Sequence, residues 1–354
     1  MTRARELAEL AAAYDSGGLS NMRNRIINGA MVIDQRNAGA VVSAEGYLVD
    51  RWRVWRNQSY NIQQSTDAPT GFSNSLLVTK TSTTQSTYGY LIQYVEGFNF
   101  SDMLFGTASA QTVTLSFWVK SSVTGTFSAG LSNSAENRNY AGTYTISAAN
   151  TWERKTITIP GDTSGTWIGS TSGKGCGVWF NFGASGSGTA NAWAADAIVT
   201  ASTGSANLGT TNNATFQITG VQLEKGSTAT SFDVRPYGTE LQLCQRYYYR
   251  QTPTGTAYYG AGFNDSTTVA SLFLNFPVPM RVAPSALEQS GTASNYRVQI
   301  TGNVINCSAV PALNFADLWG GMVLFTVASG LTAGQASMGR SNSTSGYLGF
   351  SAEL

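Results

Sequence analysis

Histidine is absent from the 354 residues. Its absence removes Ser-His-Asp and Cys-His nucleophile systems, HExxH zinc sites and any histidine general base. Carboxylate-only catalysis, as in glycosidases, remains open. Charge is scarce as well. Asp, Glu, Lys and Arg make up 12% of the chain and leave a net charge of +1, against a usual charged share of about a quarter. No Lys/Arg block is long enough to give a nucleic-acid phosphate footprint. The densest basic-aromatic patch, Arg51 and Arg53 with Trp52 and Trp55, reads as a strand edge with half-buried rings. The three cysteines, Cys176, Cys244 and Cys307, are far apart and fit no zinc spacing. They read as reduced, buried thiols, so no metal and no cofactor is expected. The longest apolar run, near Met322 to Ala328, falls far short of a membrane span. Met1 to Leu10 carries charges where a signal peptide needs an apolar stretch. These features predict a protein made in a cytoplasm, with no nucleic-acid partner and no membrane insertion.

What is present points to strands. Hydrophobic residues reach 42%, aromatics 11%, and glycine numbers 38, a composition that fills a core and leaves many turns. Val113 to Val119 is rich in β-branched and aromatic residues. Tyr47 to Trp55, Thr151 to Ile159, Gly177 to Phe182 and Phe216 to Glu224 are read as strands, three of them with residues alternating in polarity, the period of a half-buried strand. Ile26-Ile27, followed by Met31-Val32-Ile33, open the strand pattern. Strands at irregular, often long spacing predict an all-β protein with a jelly-roll β-sandwich rather than a meander, solenoid or propeller. Arg235-Pro236-Tyr237-Gly238 breaks the chain. The expected divisions are an anchoring helix and linker over 1–22, the jelly roll over 23–236, and a second, smaller β-sandwich over 237–354.

The one predicted helix is short and N-terminal, over residues 2–14. Leu7, Leu10, Ala11 and Tyr14 fall at i, i+3, i+4 and i+7 as one apolar stripe, with Thr2 as N-cap and Gly17-Gly18 as stop. A helix of about a dozen residues is marginal alone, so the stripe needs a partner. Sister chains, another particle protein and the chain's own domain all qualify.

Three sets of residues carry a resemblance. Arg25-Ile26-Ile27-Asn28-Gly29-Ala30-Met31, with Tyr47-Leu48-Val49-Asp50-Arg51-Trp52, is similar to the opening of a module in phage tail fibres and related virion appendages. Ile218-Thr219-Gly220-Val221-Gln222-Leu223-Glu224-Lys225-Gly226, followed by Ala229-Thr230-Ser231-Phe232 and Arg235-Pro236, resembles its closing strand. Glu240-Leu241 to Cys244-Gln245-Arg246-Tyr247-Tyr248 resembles the lead into the C-terminal domain of those proteins. The resemblance implies a carbohydrate-binding-module-like jelly roll, a C-terminal β-sandwich, a homotrimer and attachment to other virion proteins through the N-terminal segment. It implies a structural or adhesive role in a virion as a tail fibre, short appendage or head fibre, with host-surface polysaccharide as a partner. A glycan depolymerase and a capsid decoration protein are the alternatives.

No catalytic residues are assigned. Tyr60, Trp179, Asn181, Asn191 and Trp193 are the candidate glycan contacts, as rings that stack on sugars and amides that bond hydroxyls. Trp118 and Trp152 read as core. Glu224 reads as an outward strand residue paired with an arginine such as Arg235, and Asp50 as an internal polar contact. Tyr247, Tyr248 and Tyr249 suit either a subunit interface or a covered joint. Ser172-Gly173-Lys174-Gly175 lacks the spacing of a phosphate loop and reads as a turn.

Overall fold

The period of two settles most of the first unit. In Val113–Ser121, Val113, Leu115, Phe117 and Val119 are fully buried while Trp118 and Lys120 face the other way. A computed structural model describes residues 22–184, 186–195, 201–253 and 257–354. The helix expected over 2–14, with Leu7, Leu10, Ala11 and Tyr14, lies outside the described residues. The strands of the first unit are β1 (Gly46–Val49), β2 (Trp52–Arg56), β3 (Tyr60–Ser65), β4 (Ser75–Lys80), β5 (Gly89–Glu96), β6 (Val113–Ser121), β7 (Gly125–Ser132), β8 (Asn139–Ile146), β9 (Glu153–Ile159), β10 (Lys174–Asn181), β11 (Trp193–Ala194) and β12 (Thr215–Lys225). They form a seven-stranded sheet in the order β1-β2-β5-β10-β7-β8-β11 and a five-stranded sheet in the order β3-β4-β12-β6-β9. The chain passes repeatedly from one sheet to the other, giving a jelly-roll β-sandwich. Phe117, Phe127, Phe180, Phe216 and Trp52 meet in its core.

Three details depart from the sequence reading. Tyr47 to Trp55 is not one strand. Val49 pairs with Trp52 across a two-residue turn, and Arg51 takes φ +70. Alternation in β12 breaks at Gly220, where the register shifts, so that Val221 and Leu223 join Phe216 and Ile218 inside. Gly220 has φ +61, and a Cβ there would lie 2.6 Å from the Phe72 ring and 3.1 Å from Trp118. Residues 22–41 hold no named strand, although Ile26, Ile27, Met31 and Ile33 are buried. The backbone of this segment bonds to side chains, to β12 and within local turns instead of in a ladder.

The chain divides between Glu240 and Leu241, within the helix α1 (Tyr237–Gln245), which the sequence reading did not foresee. The expected boundary was four residues earlier. The second unit contains β13 (Tyr248–Gln251), β14 (Tyr258–Asn264), β15 (Val269–Asn275), β16 (Leu287–Gln289), β17 (Tyr296–Ile300), β18 (Asn303–Asn306), β19 (Ala312–Ala316), β20 (Gly320–Thr326), β21 (Ala336–Ser341) and β22 (Leu348–Ser351). A three-stranded sheet, β13-β22-β16, and a seven-stranded one, β18-β17-β21-β14-β15-β20-β19, enclose a core with Leu272, Tyr296, Phe325 and Phe350. Tyr247 and Tyr248 are fully buried. Cys176, Cys244 and Cys307 are free and buried. No helix among the described residues is long and apolar enough to cross a membrane.

Candidate functional site

Three of the five predicted glycan contacts are corrected by burial. Tyr60, Trp179 and Asn181 each have no exposed surface. Tyr60 packs edge-on against Phe182 at 5.0 Å and shares a hydrogen bond with Ser86 at 2.5 Å. Asn181 closes its own turn, accepting the Gly183 and Ala184 backbone N–H groups at 3.2 and 2.8 Å. Trp179 points away from the main core into a second cluster with Tyr90, Ile92 and Tyr94. None of the three can meet a sugar from solvent. Trp118 and Trp152, expected in the core, are half-buried on the outer face of the five-stranded sheet. There the Trp152 indole donates to Asp67 at 3.2 Å, and the Lys120 ammonium stands 5.2 Å above its ring.

The segments behind the family resemblance converge in space. The Asn24 amide accepts the N–H of Ile26 and of Leu223 at 2.9 and 3.1 Å and donates to the Val221 carbonyl at 3.1 Å. The Asn28 amide donates to the carbonyls of Ile33 and Asp50 and accepts from the Ile33 N–H, all within 3.0 Å. The Trp52 indole donates to the Asn28 carbonyl at 3.1 Å, and the Asn28 N–H to the Glu240 carboxylate. Arg235 spans the carbonyls of Asn24 and Ile26 and pairs with Glu240 at 3.3 Å. Gly29 is required because a Cβ there would sit 2.2 Å from the Val221 carbonyl oxygen. Glu224 is buried and accepts from Gln222 and from both the backbone and hydroxyl of Thr230, at 2.7 to 2.9 Å. Its partners are therefore not Arg235, and it is not turned to solvent. Asp50 accepts from the Gln35 backbone and side chain at 2.9 and 2.5 Å. Buried amides and carboxylates satisfied in this way fix a fold. A cavity of about 170 Å³ opens beside this clasp, between Phe72, Phe232 and Val234. Its charged lining residues Asp233, Arg235 and Glu240 are already engaged by Arg23, Asn24 and each other.

Asn191 and Trp193 lie elsewhere, at and just before the edge strand β11. Asn191 is exposed but its amide brackets Thr143, accepting from the N–H at 3.0 Å and donating to the hydroxyl at 3.0 Å. Trp193 is half-buried and donates its indole N–H to the Pro160 carbonyl at 2.8 Å. It stands 5.7 Å from Trp167, with the two ring planes at 89°. Phe105 lies edge-on to both, at 4.8 Å from Trp167 and 5.8 Å from Trp193, and Tyr140 lies 5.3 Å from Trp193. Three loops hold this end together. Gly106 donates to Asp162, and the Arg138 guanidinium grips the buried Asp162 carboxylate at 2.6 and 2.8 Å. Asp162 also accepts from the Trp167 indole at 3.2 Å. Both indole N–H groups are thus committed inward, and what the two tryptophans offer outward is ring surface. Thr143, Asn191, Ser164 and Thr166 supply hydroxyls and an amide on the same loops and strand edges. Trp167 and Phe105 escaped the sequence reading because they sit in loops with no periodicity. A tryptophan in the turn-rich stretch Gly165-Thr166-Trp167 was the available signal.

Burial pushes the Cys176 thiol up, and the Cys307 thiol up to about 12, so both are poor nucleophiles. Burial likewise raises the phenol of Tyr94, reinforced by its hydrogen bond to Glu136. Among the described residues no group of three or more Cys, Asp and Glu could hold a metal ion.

No protein-family model matches the chain. No curated protein matches it either. Solved structures do. A family 4 carbohydrate-binding module matches at 13% identity, over 56% of this chain and 98% of that one, with a TM-score of 0.29. The C-terminal family 22 carbohydrate-binding module of Clostridium thermocellum Xyn10B matches at 14% identity, over 56% and 99%, with a TM-score of 0.31. The enzymatically active domain of tailspike protein 4 from bacteriophage CBA120 matches at 13% identity and a TM-score of 0.33; the match takes in 58% of this chain but 22% of that one.

Proposed function

We propose that this chain is a non-enzymatic structural and adhesive protein of a bacteriophage particle, whose first unit contacts host-surface glycans through the Trp167–Trp193 end. The observation that carries the reading is the clasp. Strings near residues 24–29, 50–52, 221–224 and 235–240, each unspecific alone, bond to one another through Asn24, Asn28, Arg235 and Glu240. Their joint appearance at long separation supports reading them as one folded module, in keeping with the phage-appendage resemblance. The glycan part is supported by half-buried indole faces whose N–H groups are tied inward, beside hydroxyl and amide groups. Such surfaces stack on the apolar faces of sugar rings while polar neighbours bond their hydroxyls. The N-terminal segment, with Leu7, Leu10, Ala11 and Tyr14, anchors the protein to other virion proteins.

Mass spectrometry of purified particles tests the location. The chain is expected at several copies per particle and is lost from particles when residues 1–21 are deleted; its absence from intact particles overturns the reading. Retention on immobilised host polysaccharide tests the site. Trp193→Ala and Trp167→Ala are each expected to weaken retention at least tenfold with no release of new reducing ends by the wild type. Steady release of reducing ends identifies a depolymerase instead.

A further inference from the structure

The second unit's seven-stranded sheet has an outer face that is apolar and open. Its registers place one residue from every strand on a single row: Val304, Gln299, Met338, Ala261, Phe273, Met322 and Phe315, from β18 across to β19. No member is charged. The next row brings Phe263 between Ala336 and Ser271, its ring 6.3 Å from that of Phe273. Phe263, Phe273, Phe315 and Met338 are 44%, 48%, 54% and 39% exposed. Seven strands about 4.8 Å apart and three rows about 7 Å apart make a face on the order of 700 Å². Two of those rows are uncharged and come to on the order of 450 Å², the size of the largest apolar patch on an ordinary monomer, roughly 300–600 Å² and often functional; with the charged row beyond Met338 the face approaches the roughly 800 Å² that each partner gives to a stable interface.

The face is divided, and its halves are complementary. The β14-β15-β20-β19 half projects the rings of Phe263, Phe273 and Phe315. The β14-β21-β17 half is a hollow of about 410 Å³, floored by the small residues Ala261, Gly262 and Ala336. Charge follows the same division. On the row beyond Met338 lie Arg340 and Arg297, paired in register on β21 and β17. On that row's far side, Asp317 closes the β19–β20 turn, its backbone bonded to Gly320 and its carboxylate accepting the N–H groups of Trp319 and Gly320 at 2.7 and 2.9 Å. Asp317 lines a depression together with Phe273 and Phe315, so it belongs to this face.

We propose that this face binds further copies of the same chain, related by a rotation about an axis parallel to the strands. Such a rotation keeps each row at its own height and exchanges the two halves. Phe273 of one copy then meets Met338 of the next, the rings enter the hollow, and Asp317 faces Arg297 and Arg340. The operation closes with two or three copies, and cyclic closure of this kind leaves no half of the face uncovered. This inference stands apart from the glycan reading and can fail or hold without it.

Native mass spectrometry of the full-length protein, with circular dichroism to verify the fold, tests it. The wild type is expected as a dimer or trimer at micromolar concentration. Phe273→Glu and Met338→Lys, both at exposed positions, are each expected to give single chains with an unchanged spectrum. Mixed in equal amounts they regain assemblies containing both, because the new charges meet across the interface. Asp317→Asn, which keeps the turn's acceptor, weakens assembly several-fold. A single-chain wild type, variants that keep the wild-type mass, or a mixture that stays as single chains overturns the proposal.

Discussion

Among the described residues, two seven-stranded antiparallel sheets treat their second faces in opposite ways. In the first unit the outer face carries Tyr90, Ile92, Tyr94 and Trp179, none more than 8% exposed. In the second unit the corresponding layer shows Phe263, Phe273, Phe315 and Met338 to solvent. Both faces are apolar, so polarity alone does not separate them; burial does. An aromatic face buried within its own chain contributes to folding. One of similar chemistry left open is matched to something outside the chain.

The comparison breaks first at Trp179. Trp179→Ala is expected to destabilise the first unit by about 3–5 kcal/mol, the cost of a large cavity, measured by denaturant unfolding followed at several wavelengths. A cost below about 1 kcal/mol would mean that this face behaves like the open one. Next in size is Asn28→Ala. It leaves the Ile33 N–H and the Ile33 and Asp50 carbonyls without their side-chain partner, a loss of about 1–3 kcal/mol. Phe273→Ala, in contrast, changes the unfolding free energy of the dilute protein by about 1 kcal/mol or less, while its effect on assembly is large.

Much of the architecture was legible because the period of two is a direct consequence of strand geometry. β6, β9 and β10 could be placed by reading alternate residues or unbroken apolar runs. The reading failed where tertiary contacts override local pattern. The turn at Asp50-Arg51 has neither glycine nor asparagine. It is held because Arg51 is buried and its guanidinium donates to the Tyr94 carbonyl at 2.6 Å. The bulge at Gly220 answers to Phe72 and Trp118, which arrive from distant segments. Ile26-Ile27 and Met31-Val32-Ile33 looked like strand by hydrophobicity, but the backbone around them bonds to side chains, to β12 and within local turns. For the site, a tryptophan in a strand cannot be assigned to solvent or interior until the sheet's second face is known. Trp179 was therefore misplaced while Trp193, on a short edge strand, stayed half-accessible.

The smallest effect concerns pH and the five-stranded sheet. The hydrogen bond from Lys120, chiefly, holds the Asp67 carboxyl below its ordinary 3.8, with the Trp152 indole helping and burial opposing. A depressed carboxyl contributes stability that is present above the unfolded pKa and disappears as pH falls through the folded one. Asp67→Asn is expected to flatten the acid limb of the stability profile below about pH 4 slightly, since an exposed pair is worth little. An acid limb unchanged by the substitution removes Asp67 from the account.

Hydroxyl-radical labelling of the intact wild-type protein compares the two faces directly. Phe98, 55% exposed in the first unit, serves as the internal reference for an open ring. The account predicts that Phe263 and Phe315 are labelled far more slowly than Phe98 in the wild type, and that Phe273→Glu restores both to the Phe98 rate, while Trp179 stays protected in both proteins. Labelling of Phe263 and Phe315 at the Phe98 rate in the wild type would contradict it.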